Sequence, residues 1–297
     1  MVAWAYDNKF VLVKHVFDGK TEWISVNTAN KSEVKNVSVS LGVDAVDVQF
    51  SRNDANTFYL LTANGEVRRA NIDQRSLSGP LLREVDNFSL YAGSTIAYAT
   101  KPDANGVRSV GYLTADAKAP RVVEHFNDAV DIPLRIVINK YYGRHYFVVA
   151  KGKDVTILTS ELPASDMADP ALFKKLTSLT LEDTVKWVGF SPDDHRFIYA
   201  QGENGLMVYD LDMSQAFHPV IAGATEPIEW VDQFHFTAAT GGELKIYDFD
   251  GTNSHVMMDR AASGTSSLLS NGKYLYGLQR DAANGTVHLS RATMTVE

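Results

Sequence analysis

A short apolar segment returns seven times along the chain, at residues 10–15, 58–63, 95–100, 145–150, 196–201, 235–240 and 273–278. Each is rich in β-branched and aromatic residues and too short for a helix, so each reads as a strand buried on both faces. The interval between them is roughly 37 to 51 residues, the range of propeller blades. After every one comes a turn bearing glycine: Asp18-Gly19, Asn64-Gly65, Asn105-Gly106, Gly152, Asn204-Gly205, Gly241-Gly242 and Asn284-Gly285. Asn, Asp and Gly tolerate the positive φ that a two-residue type I′ hairpin needs at both central positions. A second strand follows each turn, at 23–26, 67–72, 107–113, 155–158, 206–209, 244–247 and 287–289.

A strand precedes each first segment, as at 46–50, 185–190 and 228–231, and six blades add a fourth at 34–39, 81–85, 121–125, 176–181, 217–221 and 255–258. The pattern predicts an all-β fold: a seven-bladed β-propeller of mostly four-stranded antiparallel blades, one domain over 1–297, with a three-stranded seventh blade. One short helical insertion is expected in blade four, with Asp169 as N-cap and Pro170 at the first helical position. The chain opens directly on the inner strand of blade one, at 2–6, and no strand completes the last blade. The expectation this carries is a natural chain extending further toward its N-terminus.

The run Phe190-Ser-Pro-Asp-Asp-His-Arg-Phe-Ile-Tyr-Ala200, continuing to Asp212, resembles the blade signature of TolB-like and WD40-like propellers. In those families a Phe-Ser-Pro-Asp-Gly turn joins the two inner strands, and Phe50-Ser-Arg-Asn-Asp54 is a degraded second copy. Gly-His and Trp-Asp dipeptides of WD40 blades are missing, as is the Ser-Asp-Arg-x-Gly run of TolB, so the resemblance implies fold and not partner. More loosely, the chain is similar to the propeller ectodomains that follow a PEGA domain in bacterial surface proteins, although it carries no PEGA motif. That resemblance implies an extracytoplasmic location, tethered by an upstream transmembrane helix, with a cytoplasmic protein as the alternative.

Composition narrows the function. Apolar residues form 45% of the chain, enough for a large core, and 28 basic against 36 acidic side chains give a net charge of −8. No run of Lys and Arg appears, so nucleic acid is not an expected partner. With no cysteine there are no disulfides, thiolate zinc sites or cysteine nucleophiles. No apolar stretch is long enough to insert in a bilayer, and Met1-Val2-Ala3-Trp4 lacks the basic and apolar segments of a signal peptide.

No Gly-x-Ser-x-Gly elbow and no phosphate loop occur. The histidines, at 15, 125, 145, 195, 218, 235, 255 and 288, are scattered without metal-ligand spacing, so neither a metal nor any other cofactor is expected. Asp248-Phe-Asp250-Gly251-Thr-Asn253 has part of a calcium-loop pattern but lacks its third alternating ligand and its distant Glu, and reads as a strand end with a turn. Trp4, Trp187 and Trp230 recur at similar blade positions, which favours packing between blades over ligand stacking. Acidic residues near the inter-blade loops, Asp44, Asp128, Asp131, Asp183 and Glu226, are the candidate site residues, for partner binding or for a carboxylate pair.

The linking loops are mostly short and leave little material for a deep catalytic cavity. The function expected on that ground is a non-catalytic, monomeric binding module for protein or glycan, using the loops at 40–45, 126–133 and 222–227. The alternatives are a glycoside-active enzyme using carboxylates in the central funnel, and a cytoplasmic scaffold of WD40 type.

Overall fold

The strongest element of the sequence pattern is the recurring hairpin, and the computed structural model builds one at each expected position. The structure describes the chain except residues 1, 6–8, 31, 52–53, 116, 118, 128–131, 161–172, 193, 222–225, 269–271 and 295–297, with only the backbone described at 2–4. Seven antiparallel sheets follow one another in sequence, the blades of an all-β propeller. Blade one comprises β1 (Val2–Trp4), β2 (Phe10–Phe17), β3 (Lys20–Asn27) and β4 (Val34–Asn36), followed by a helix α1 (Val37–Leu41). Blade two holds β5 (Ala45–Ser51), β6 (Asp54–Thr62), β7 (Val67–Asn71) and β8 (Ser76–Leu77); blade three β9 (Val85–Tyr91), β10 (Thr95–Thr100), β11 (Val107–Leu113) and β12 (Arg121–Asn127). Blade four holds β13 (Leu134–Tyr141), β14 (Arg144–Lys151), β15 (Asp154–Ser160) and β16 (Phe173–Thr180); blade five β17 (Trp187–Phe190), β18 (Phe197–Gln201), β19 (Leu206–Asp210) and β20 (Gln215–Phe217). Blade six holds β21 (Glu229–Trp230), β22 (His235–Thr240), β23 (Glu243–Asp248) and β24 (His255–Met258). Blade seven has three strands among the described residues, β25 (Ala261–Leu268), β26 (Tyr274–Arg280) and β27 (Val287–Thr293), as the pattern predicted.

By its internal contacts the chain divides into two compact units, 1–138 with 166–173, and 139–165 with 174–297. In the first, Leu12, Trp23 and Val37 of blade one pack with Val48, Phe58 and Leu60 of blade two, all essentially without solvent contact. In the second, Phe197 and Val208 of blade five pack with Phe236 and Tyr247 of blade six. Each fully buried side chain of this kind contributes about 1.5–3 kcal/mol. Sandwiching explains why β10 and β14 read as mostly apolar runs, whereas the outer strand β12 is half-buried and β16 largely exposed.

The turns differ in type from one expectation. Only Asp18-Gly19 and Gly241-Gly242, among the seven, have positive φ at both residues. At 62–67 and 103–107 the hairpin is instead a longer loop, closed by Gly65 N–H on Thr62 O and Gly106 N–H on Asp103 O, both 2.9 Å, with the glycine alone left-handed. That is the three-residue loop with a bulge, in which Asn keeps an ordinary φ.

Two strand assignments are corrected. Residues 34–39 begin as β4, but from Val37 the chain turns helical. The side chain of Asn36 accepts Val39 N–H at 3.0 Å, and Gly42 ends the helix in the left-handed conformation. The Val-Ser-Val-Ser alternation has the period of a strand, yet cap and stop override it and drive Val37 into the core. In blade two the fourth strand is β8, not 81–85; Leu82 makes a single bridge to Val67, and Val85 already opens blade three.

The helical insertion expected in blade four begins, with Asp169 and Pro170, outside the described residues. Residues 173–176, the rest of that stretch, are extended in β16. The only described helix is α1, between blades one and two.

Candidate active site

The first strand of blade six carries a glutamate among apolar residues. Ile228-Glu229-Trp230 places a carboxylic acid between two residues of the packed interior. Its position is set by neighbours on both sides. At the end of β18, Gln201 donates from Nε2 to Glu226 O and accepts Ile228 N–H at Oε1, both at 2.9 Å, which clamps the segment leading into β21. Trp230 stacks on Phe197, with centroids 5.9 Å apart and planes 7° from parallel. On the far side, Thr237 bonds both Glu229 O, at 3.3 Å, and Ser266 Oγ of blade seven, at 2.6 Å.

Blade seven approaches these acids closely because its first strand is made of small residues. From Ala261 to Ser267 nothing exceeds threonine in size, and the register with β26 breaks between Ala261 and Ser266. The released Gly264 N–H donates to Glu226 Oε2 at 2.5 Å. A Cβ on Gly264 would stand 3.1 Å from that same oxygen.

Burial pushes the Glu229 carboxyl up to about 7, and the charge of Glu226 adds to the effect. The Tyr199 phenol is raised to about 12, again by burial and then by Glu229. Its ring lies over Gly189, where a Cβ would come within 2.6 Å of the aromatic edge. A carboxyl that is half protonated near neutral pH can both deliver and remove a proton, and a second carboxyl close enough to act on it electrostatically can take the other role.

The sequence-predicted residues fare differently. Glu226 belongs to this pair. Asp183 serves the scaffold: its Oδ2 accepts Glu203 N–H at 2.7 Å and Asn204 N–H at 2.8 Å, closing the β18–β19 hairpin. Asp44 is exposed beside a groove of about 590 Å³, lined also by Lys14, Lys20, Thr21 and Ser38. Asp128 and Asp131 lie outside the described residues. Glu229 itself was missed by sequence reasoning. The available signal was a glutamate inside an apolar inner strand at 228–231, where a loop acid was being sought.

No protein-family model matches the chain, and no curated protein matches it. Solved structures do. An oligogalacturonate lyase in complex with manganese superimposes with a TM-score of 0.63 at 10% identity, over 99% of this chain and 88% of that one. The oligogalacturonate lyase of Vibrio parahaemolyticus gives 0.62 at 9%, over 99% and 88%. Hsv2 of Kluyveromyces lactis gives 0.58 at 10%, over 98% and 96%. The chain has a seven-bladed propeller fold. At these identities the likeness speaks for fold, and nothing among these neighbours supports the PEGA association.

The expectation of a non-catalytic binding module is corrected by the two lyases. It rested on short loops, and that premise is insufficient: an inner strand can carry a partly buried carboxyl, as β21 carries Glu229, without a long loop. Among the described residues no three His, Asp or Glu side chains gather to hold a metal ion.

Proposed function

We propose that the chain is a carbohydrate-active enzyme that cleaves uronate-containing oligosaccharides, with Glu229 as its proton-transferring group and Glu226 as its partner carboxylate. The observation that carries this reading is the carboxyl raised to about 7 on an inner strand, within the electrostatic reach of a second carboxylate that is held by Gly264 N–H. The fold neighbours that are oligogalacturonate lyases support the substrate class. In β-elimination a base takes the proton α to the uronate carboxyl. The electron pair forms a carbon–carbon double bond, the glycosidic C–O bond breaks, and a proton goes to the departing oxygen. Glu229, titrating near neutrality, suits either proton transfer.

The test is ultraviolet absorbance of the unsaturated product from oligogalacturonate, beside reducing-end assays on neutral oligosaccharides. Positioned acid–base groups contribute about 10²–10⁴-fold, so Glu229→Gln should lose at least about 100-fold in kcat while remaining folded. An unaltered chain inert on every uronate, or a fully active Glu229→Gln variant, refutes the proposal.

A further inference from the structure

A groove of about 590 Å³ lies between elements of blades one and two that the carboxylate pair does not use. Its first wall is the β2–β3 hairpin, which contributes Lys14, Lys20 and Thr21; its second is helix α1 and the segment into β5, which contributes Ser38, Val39 and Asp44. Trp23 ties the walls together. It is buried across the hairpin from Lys14, whose Nζ stands 5.5 Å from the ring centroid. Its backbone N–H donates to Ser38 Oγ at 3.2 Å and its Nε1 to Ala45 O at 3.0 Å. The groove is therefore formed in advance, which lowers the ordering cost of a ligand, and its volume falls within the about 300–1,000 Å³ of small-ligand clefts.

Lys14 and Lys20 have no carboxylate within ion-pair distance among the described residues, whereas Glu22, which also lines the groove, lies 3.8 Å from His15. Two ammonium groups are thus left for an anion. Around them stand short polar groups. Ser38 spends a lone pair on Trp23 and keeps its proton to donate, Thr21 adds a second hydroxyl, and the exposed Asp44 can accept. Val39 and Val46 are 68% and 46% exposed, two small apolar surfaces on the same groove. A carboxylate, closely spaced hydroxyls and a C–H face occur together in a sugar acid. We propose that the groove binds a uronate-containing oligosaccharide, with carboxylates at Lys14 and Lys20, hydroxyls at Ser38, Thr21 and Asp44, and a ring face on Val39. The ligand class rests on the uronate-cleaving activity proposed above; the groove itself shares no residue with that site.

The experiment is a proton–nitrogen correlation titration with trigalacturonate, run on the Glu229→Gln chain so that the ligand is not consumed. The Trp23 indole and Gly42 amide signals should shift saturably. Lys14→Met keeps the stem over Trp23 and removes the charge, so it should raise the dissociation constant read there about 10-fold. Lys20→Gln, at an exposed position, should raise it about threefold, and Lys153→Gln, an exposed lysine of blade four, not at all. Maltotriose, which has no carboxylate, should bind at least about 10-fold more weakly. No saturable shift at Trp23, a shift indifferent to Lys14→Met, equal affinity for maltotriose, or tighter binding of tetraglutamate would overturn the proposal. Failure of the groove and failure of the activity are separable. Turnover of oligogalacturonate by the unaltered chain with Trp23 unmoved removes the groove alone, and a saturable Trp23 shift in a chain inert on every uronate removes the activity alone.

Discussion

Replacing Glu229 by glutamine should stabilise the chain in alkali and leave its stability unchanged in acid. The folded carboxyl titrates at about 7 instead of 4.5. Below pH 4.5 the acid is protonated in both folded and unfolded chains and contributes no difference. Between 4.5 and 7 the unfolded chain releases the proton and the folded chain keeps it, so stability falls as pH rises; above 7 the loss is complete. A difference of about 2.5 pH units at 1.36 kcal/mol each gives about 3.4 kcal/mol, and partial solvent contact reduces this to about 2–3 kcal/mol. Glutamine reproduces the shape of the neutral acid and cannot ionise, so the variant escapes the loss. For a chain of this size 1 kcal/mol moves Tm by about 2 °C, so calorimetry should find Glu229→Gln higher in Tm by about 4–6 °C at pH 8.5 and equal at pH 4. A Tm difference that does not vary with pH refutes the reasoning, because every other titrating group is common to both chains.

Three further outcomes follow from the scaffold. Ala92 is exposed with φ 49° in the β9–β10 turn, so Ala92→Gly should add about 1 kcal/mol in urea unfolding, relieving a left-handed residue. Asp210 is fully buried and takes Arg196 through two bonds of 2.9 and 2.6 Å. Although burial opposes ionisation, Arg196 and the N–H groups of Met213 and Asp212 hold its carboxyl below the usual range. Asp210→Ala should cost about 3–5 kcal/mol, leaving Arg196 unpaired, and the bond's contribution in the unaltered chain should fade as pH drops below the ordinary carboxylate range. Gly189→Ala sets a Cβ 2.6–2.8 Å from the Tyr199 ring; it should cost about 1–3 kcal/mol by overpacking, recovered in large part when Tyr199→Leu is added.

Turns and inner strands were legible because their causes are local. Gly241-Gly242 must turn wherever it occurs, and 145–150 is too apolar to lie anywhere but between two packed faces. Helix α1 was not legible, since Val37-Ser-Val-Ser-Leu41 alternates like a strand and only the Asn36 cap and Gly42 stop decide against it. The site was less legible still. Glu226 was recognisable as an acid near an inter-blade loop, but the state of Glu229 depends on residues far along the chain. Gln201 clamps the strand, and Gly264 brings blade seven against its partner acid. No spacing rule within 226–231 encodes either contact.

The most direct measurement is the carbon-13 shift of the Glu229 carboxyl followed from pH 4 to 9, assigned by its disappearance in Glu229→Gln. A midpoint near 7, moving down when Glu226→Gln removes the neighbouring charge, is the result required of a proton-transferring group. A midpoint near 4.5, indifferent to Glu226, would contradict it.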